Sequence, residues 1–237
     1  NNTVGIQIKD MVNSIWFDHC ISNRCKIGFL MDSSVPSGST SNPGSFFRLN
    51  DCDFDTNSLC GISIEGGSFI WINSPYMSSN KKNGLRTTSG FTGVLRINDA
   101  DCRGNGDHGI NIQSTSHKKV FINNPQCCEN GSTVWGETNV SDGIRAASPS
   151  NDIQIIGGQC GGDNMGGTGG NQTNSSRMQS RGIAFGALCN RCTVAFVDCS
   201  DNKDDALDFP TSNGTNNFVL GVAGHHSGGN VRGTWPG

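Results

Sequence analysis

A short phrase, glycine followed by apolar-x-apolar, recurs along the chain and limits the fold more than any other feature. It reads Gly5-Ile6-Gln7-Ile8, Gly28-Phe29-Leu30-Met31, Gly61-Ile62-Ser63-Ile64 and Gly84-Leu85-Arg86-Thr87. It continues as Gly109-Ile110-Asn111-Ile112, Gly143-Ile144-Arg145-Ala146 and Gly182-Ile183-Ala184-Phe185, and ends with Ala for Gly in Ala206-Leu207-Asp208-Phe209. Successive copies are 23, 33, 23, 25, 34, 39 and 24 residues apart, a base period of 23 to 25 with three insertions. A fixed period of this size marks stacked repeats, in which no single unit can bury its own apolar face.

The alternation inside each unit has period two, which sends neighbouring side chains to opposite faces of a strand. No segment sustains helical apolar spacing. A unit this short, holding two or three strands, cannot form a propeller blade or a βαβ crossover. It matches one coil of a parallel β-helix, each coil pairing with the next at about 4.8 Å. The expectation is an all-β, single-stranded parallel β-helix of about eight coils, one domain over residues 1–237.

A second phrase, an apolar run closing on cysteine, spans Ile15 to Cys20, Phe47 to Cys52, Ile97 to Cys102, Ile122 to Cys127, Ile155 to Cys160 and Val194 to Cys199. The third unit has Pro75-Tyr76-Met77 instead. Stacking predicts that these six cysteines form one inward column. An asparagine often follows three residues later, at Asn23, Asn105 and Asn202. The eleven cysteines are odd in number and spread through a long chain, so they read as buried thiols rather than a disulfide framework. Cys189-x-x-Cys192 lacks a second ligand pair at zinc spacing, and neither metal nor cofactor is expected.

Hydrophobic residues make up 33% and charged residues 16%, with 33 glycines, which suits a thin core and many turns. A net charge of −3 gives no electrostatic case for a nucleic-acid partner. Apolar runs are short, as in Val194-Ala195-Phe196-Val197, so no helical membrane insertion is expected. The chain begins at Asn1 without a signal sequence and reads as a fragment or a processed product.

In a β-helix, function belongs to grooves walled by loops that leave the coil. The insertions are Ser33 to Ser45, Glu129 to Asp142 and Gly161 to Arg181; the last two leave successive coils at the same turn. At their foot, immediately before the coil opening, stands a column of His108, Asp142, Arg181 and Asp205, preceded by Asp107 and Asp204. Arg86, Asn111, Arg145 and Asp208 point outward just after it. Asp142 and Asp205 lie two coils apart, about 9.6 Å between Cα atoms, a separation suited to an inverting glycosidase pair. Arg181 between them favours the charged form of both, whereas a general acid needs a raised pKa. Asp32 and Glu65, in equivalent places on the second and third coils, form an alternative acid pair at about 4.8 Å. The plain alternative for both clusters is a solvated sheet face with turn-favouring aspartates. Trp135, inside an insertion, is the aromatic assigned to stacking on sugar; Trp16, Trp71 and Trp235 are assigned to packing or end-capping.

The Gly-Ile-x-Ile coil openings, the Asn- and Gly-rich turns and the unpaired cysteines resemble the pectin-lyase-like superfamily of right-handed parallel β-helices over essentially the whole chain. Among its members, the tailspike and capsule-depolymerase proteins of bacteriophages look most similar. That resemblance implies a homotrimer in the virion tail, or alternatively a secreted protein. It also implies a bacterial surface polysaccharide as partner. Asp142, Asp205 and Asp204 would then act as catalytic acids, with Arg145, Arg181, His108, Asp107, Trp135 and Asp208 holding sugar. The polygalacturonase branch fits less well: Asn202-Lys203-Asp204-Asp205 fuses two of its motifs, Gly224-His225-His226 only approximates a third, and no R-I-K is present. A non-catalytic receptor-binding virion module and a polysaccharide lyase stand as alternatives to hydrolysis.

Overall fold

The computed structural model describes residues 3–9, 14–32, 46–131, 141–147, 149–161, 179–200, 202, 204–209 and 216–223. Its strands form two parallel sheets of eight. The first comprises β1 (Val4–Lys9), β3 (Ile27–Asp32), β5 (Cys60–Ile64), β7 (Asn83–Thr87), β9 (Ile110–Ile112), β11 (Asp142–Ala146), β13 (Arg181–Phe185) and β15 (Asp205–Asp208). The second comprises β2 (Ser14–Asp18), β4 (Phe46–Asn50), β6 (Phe69–Asn73), β8 (Val94–Asn98), β10 (Lys119–Asn123), β12 (Ile153–Ile156), β14 (Thr193–Ala195) and β16 (Phe218–Leu220). Each strand pairs with its counterpart one coil on, and a ladder of single bridges from Ile21 to Ala223 makes a short third face. Eight coils are present, as the glycine phrase predicts.

The core fills the narrow space between the faces. Phe29, Ile62, Leu85, Ile110, Ile144, Ile183 and Leu207 stack from the first sheet, against Leu49, Ile72, Ile97, Ile122, Ile155 and Val194 from the second. The glycine of each phrase is where the turn behind it comes closest. A Cβ on Gly143 would lie 2.6 Å from the Gly182 carbonyl oxygen and 2.8 Å from that of Cys127, closer than side-chain carbons approach backbone.

That turn is held by a buried amide ladder. Asn80 Oδ1 accepts the Asn57 backbone N–H at 2.9 Å, Asn105 Oδ1 accepts that of Asn80 at 3.0 Å, and Asn130 Oδ1 accepts that of Asn105 at 3.1 Å. Side-chain amides run in parallel, from Asn80 to Asn105 and from Asn105 to Asn130. Near the end of the third insertion Gln179 takes the next place, receiving from Asn130 and donating to Asn202 Oδ1 at 2.8 Å.

The cysteine column needs correction. Cys102, Cys127, Cys160 and Cys199 do share one inward position, which Ser22, Phe54 and Met77 fill in earlier coils. Cys20 and Cys52 belong two residues earlier, level with Pro75, Ala100 and Pro125. The shift follows from counting back to the wrong apolar residue: Ile15 and Phe47 are the first inward residues of their strands, whereas Ile97 and Ile122 are the second of theirs. The same shift removes Asn23 from the amide ladder, where Cys25 stands and donates its N–H to Asn57 Oδ1. No disulfide joins the eleven cysteines.

Between the second sheet and the third face the chain turns sharply through left-handed residues in one column: His19, Asp51, Ser74, Asp99 and Asn124, then Gly157, Phe196 and Gly221. Asp, Asn and Gly tolerate that conformation best, which accounts for the polar corner.

Candidate functional site

Strand register sets Asp142 opposite Arg181 and Arg181 opposite Asp205, and the pairing of Ile144 with Ile110 puts His108 on the preceding rung. The predicted column therefore exists on the outer face of the first sheet. Arg145 and Asp208 rise beside it, with Asp107 and Asp204 at its edge. Trp135 and most of the three insertions, like Trp235 and Gly224 to His226, lie outside the described residues. Asn202 is in the buried ladder, its Nδ2 donating to the carbonyls of Cys160 and Cys199, so Asn202 belongs to the ordinary turn and Asp205 opens the strand.

The centre of the column is a closed network. Arg181 binds Asp142 with two parallel contacts, Nε to Oδ1 at 2.7 Å and Nη2 to Oδ2 at 3.1 Å, and sends Nη1 to Asp208 Oδ2 at 2.5 Å. Asp142 has no exposed side-chain surface and His108 has 2%. The Asp142 backbone N–H donates to His108 Nδ1 at 3.0 Å, so that nitrogen accepts and the ring proton belongs on Nε2. Nε2 faces Asp107 Oδ1 at 3.2 Å, with Arg145 Nη1 also 3.2 Å away. Burial, reinforced by the charges of Arg145 and Arg181, drives the His108 pKa down to about 3, so the ring is neutral. Burial likewise raises the Asp142 carboxyl above the ordinary carboxylate range, against the pull of Arg181. Burial opposes the Arg181 cation, but Asp142 and Asp208 together hold it more firmly protonated than usual.

This arrangement bears directly on catalysis. The two-rung spacing of Asp142 and Asp205 matches the register, and Asp142 has the raised carboxyl that a general acid needs. Its two oxygens are nevertheless engaged by Arg181, and no face of the carboxyl is open to a sugar. Asp107 and Asp208, each with about a fifth of the side chain exposed, the partly exposed Asp205 and the exposed Asp204 are the carboxylates that a ligand can meet. Asp32 and Glu65 occupy equivalent positions as expected, but Glu65 is not an unscreened acid. Arg86 Nη2 stands 3.6 Å from it and Ser63 Oγ donates to it at 3.1 Å. Among the described residues no three His, Cys, Asp or Glu side chains converge as a metal site.

A second polar surface was missed at the sequence level. On the outer face of the second sheet, register aligns Trp16, Arg48, Trp71, Arg96 and Phe121 in one column. The next outward column reads Asp18, Asn50, Asn73, Asn98 and Asn123. Asn123, Asn98 and Asn73 each donate Nδ2 to the preceding asparagine at 2.7 to 2.8 Å, and Asn50 donates to Asp18. With Arg48 they line a shallow groove rimmed by Asp51, Ser74 and Asp99. Trp16, on the end strand of the sheet and assigned above to packing or end-capping, is 66% exposed, while Trp71 packs edge-on against Phe46. The signal was available in the residue between each inward pair, as in Ile15-x-Phe17, Phe47-x-Leu49 and Ile70-x-Ile72.

No family model matches the chain, and no curated protein matches it. Among solved structures, the Azotobacter vinelandii mannuronan C-5 epimerase AlgE6 A-module is similar, with a TM-score of 0.60 over 95% of this chain at 13% identity. This chain spans 59% of that module's length. The likeness is one of fold and supports the parallel β-helix.

Proposed function

We propose that this β-helix binds a bacterial surface polysaccharide across the outer face of its first sheet. The observation that carries the reading is the network around Arg181. Arg181 grips the buried Asp142 and Asp208 while the neutral His108 stands against Asp107 and Arg145, and with the partly exposed Asp205 these groups present a polar surface over four successive rungs. Preset polar groups on a rigid sheet meet sugar hydroxyls without the ordering cost that flexible groups incur. The fold neighbour named for acting on mannuronan adds support. Within this reading the chain is the β-helical body of a tailspike-like virion protein, a homotrimer. A single boundary in sedimentation at the protomer mass would remove the trimer.

Binding is tested by calorimetry with capsule or O-antigen preparations. Asp208→Asn combined with Arg145→Ala is expected to abolish binding while circular dichroism stays native. Unchanged affinity in that variant rejects the site.

A second reading, hydrolysis by Asp142 and Asp205, is favoured by their two-rung separation and the raised Asp142 carboxyl. It requires Arg181 to release Asp142 when sugar binds. Reducing-end assays decide: product formed by the wild type and lost in both Asp142→Asn and Asp205→Asn supports cleavage. Binding without product after long incubation leaves a non-catalytic receptor module.

A further inference from the structure

The arginines of the two sheets differ in their partners. On the first sheet Arg181 is matched by Asp142 and Asp208 and Arg86 by Glu65, while Arg145 stands against the neutral His108. On the second sheet Arg48, Arg96 and Lys119 form no ion pair with any described carboxylate; Arg48 only donates Nε to Asn50 Oδ1 at 2.9 Å. Arg48 and Arg96 stand in one column two rungs apart, about 9.6 Å. Lys119 follows Val94 in the adjacent column.

These cations are also preset. The Arg96 guanidinium lies 5.6 Å from the Trp71 ring centroid and 4.8 Å from that of Phe121, held between two aromatic residues. Lys119 Nζ lies 5.4 Å from the Phe121 centroid. A planar, weakly hydrated guanidinium fixed in this way gives up little freedom when it receives a carboxylate. Beside it, each outer asparagine spends one N–H on its neighbour, so a row of amide N–H and C=O groups remains for hydroxyls. Trp16 and Phe69, 66% and 50% exposed, offer apolar faces for sugar C–H groups.

We propose that the outer face of the second sheet is a docking surface for an acidic polysaccharide, its carboxylates on Arg48, Arg96 and Lys119 and its hydroxyls on the asparagine row. Asp51 and Asp99 on the far rim, with Asp18 at the end of the asparagine row, repel the same carboxylates and so orient the chain with its acidic edge toward the arginines. The surface is independent of the first-sheet site.

Affinity electrophoresis in gels containing polygalacturonate or dextran tests it with the whole chain. Polygalacturonate is expected to retard the wild type, dextran not, and retardation is expected to fall with added salt. Arg96→Gln lowers affinity about tenfold, the usual effect of losing one charge-assisted hydrogen bond, and Arg48→Gln with Arg96→Gln abolishes it. Arg96→Lys, which keeps the charge and loses the planar fork, falls between. Asp208→Asn with Arg145→Ala leaves retardation unchanged, which separates this face from the first-sheet reading. Equal retardation by dextran, or full retardation of the double glutamine variant with native circular dichroism, overturns the proposal. So does concentration-dependent self-association that Arg96→Gln removes.

Discussion

Replacing Asn105 by alanine would show how much of the stability rests in the buried amide ladder. Asn105 Oδ1 accepts both the backbone N–H and the side-chain Nδ2 of Asn80, at 3.0 and 3.2 Å, and both asparagines are fully buried. Alanine leaves two donors without an acceptor, each costing about 1–3 kcal/mol. The far side suffers less, because Asn130 Oδ1 keeps the Asn105 backbone N–H at 3.1 Å. The expected loss is therefore about 4 kcal/mol, which in a chain of this size lowers Tm by roughly 8–16 °C. Asn98 on the outer row is the control. It also makes two amide contacts, accepting from Asn123 and donating to Asn73, but water can replace both. Its replacement by alanine should cost less than about 1 kcal/mol. Urea unfolding followed by circular dichroism, with hydrogen exchange at Asn57 and Asn80 to detect opening of single coils, measures the difference. Losses for the two variants within about 1 kcal/mol of each other would refute the argument that burial sets the value of this amide.

His108 has a pKa near 3 when folded and an ordinary value of 6.5, so unfolded chains take up a proton that the fold excludes. Its contribution is complete above pH 6.5 and is lost as pH falls toward 3, at up to about 1.4 kcal/mol per unit. His108→Asn should flatten the stability profile between pH 6.5 and 5. Arg181→Ala leaves a carboxylate buried without its partner and is expected to cost about 3–5 kcal/mol in thermal unfolding, part of which Asp142→Asn added in the same chain restores. Thiol reagents should modify the half-buried Cys20 and Cys25 quickly in the native protein, and the other nine cysteines only after unfolding. Burial pushes Cys60 and Cys192 up to about 12, so more than two fast-reacting thiols would contradict the packing described.

The first sheet was legible because its marker is unforgiving. A glycine with backbone 2.6 Å from where a Cβ would be cannot drift along the coil, so aligning glycines aligns strands. Cysteine is a poor marker for the opposite reason. It fits any small inward position, and Cys20 and Cys52 use one that Ala100 and the prolines share. The charged column was legible too, since it is counted from the same glycine. Period-two alternation counted from the inward Ile144 would put Asp142 inside the coil, and it says nothing about what covers a carboxyl that lies instead with Arg181 and Asp208. His108 and Arg181 do so from neighbouring rungs, 34 residues before it and 39 after. The aromatic and arginine column went unread because its members alternate in chemistry from coil to coil, and only register shows that they are neighbours.

Gln179 has a consequence for how such a chain can change. It enters the amide ladder where an asparagine would stand, one methylene longer, near the end of the third insertion. The rung is thereby closed by one of the insertion's last residues. Lengthening a flexible loop twofold costs only about 0.6 kcal/mol in closure entropy. Gln179 binds the Cys160 carbonyl and Asn202 directly, so the ladder itself does not set how many residues stand between Cys160 and Gln179. New specificity could be acquired there while the stack of coils stays as it is.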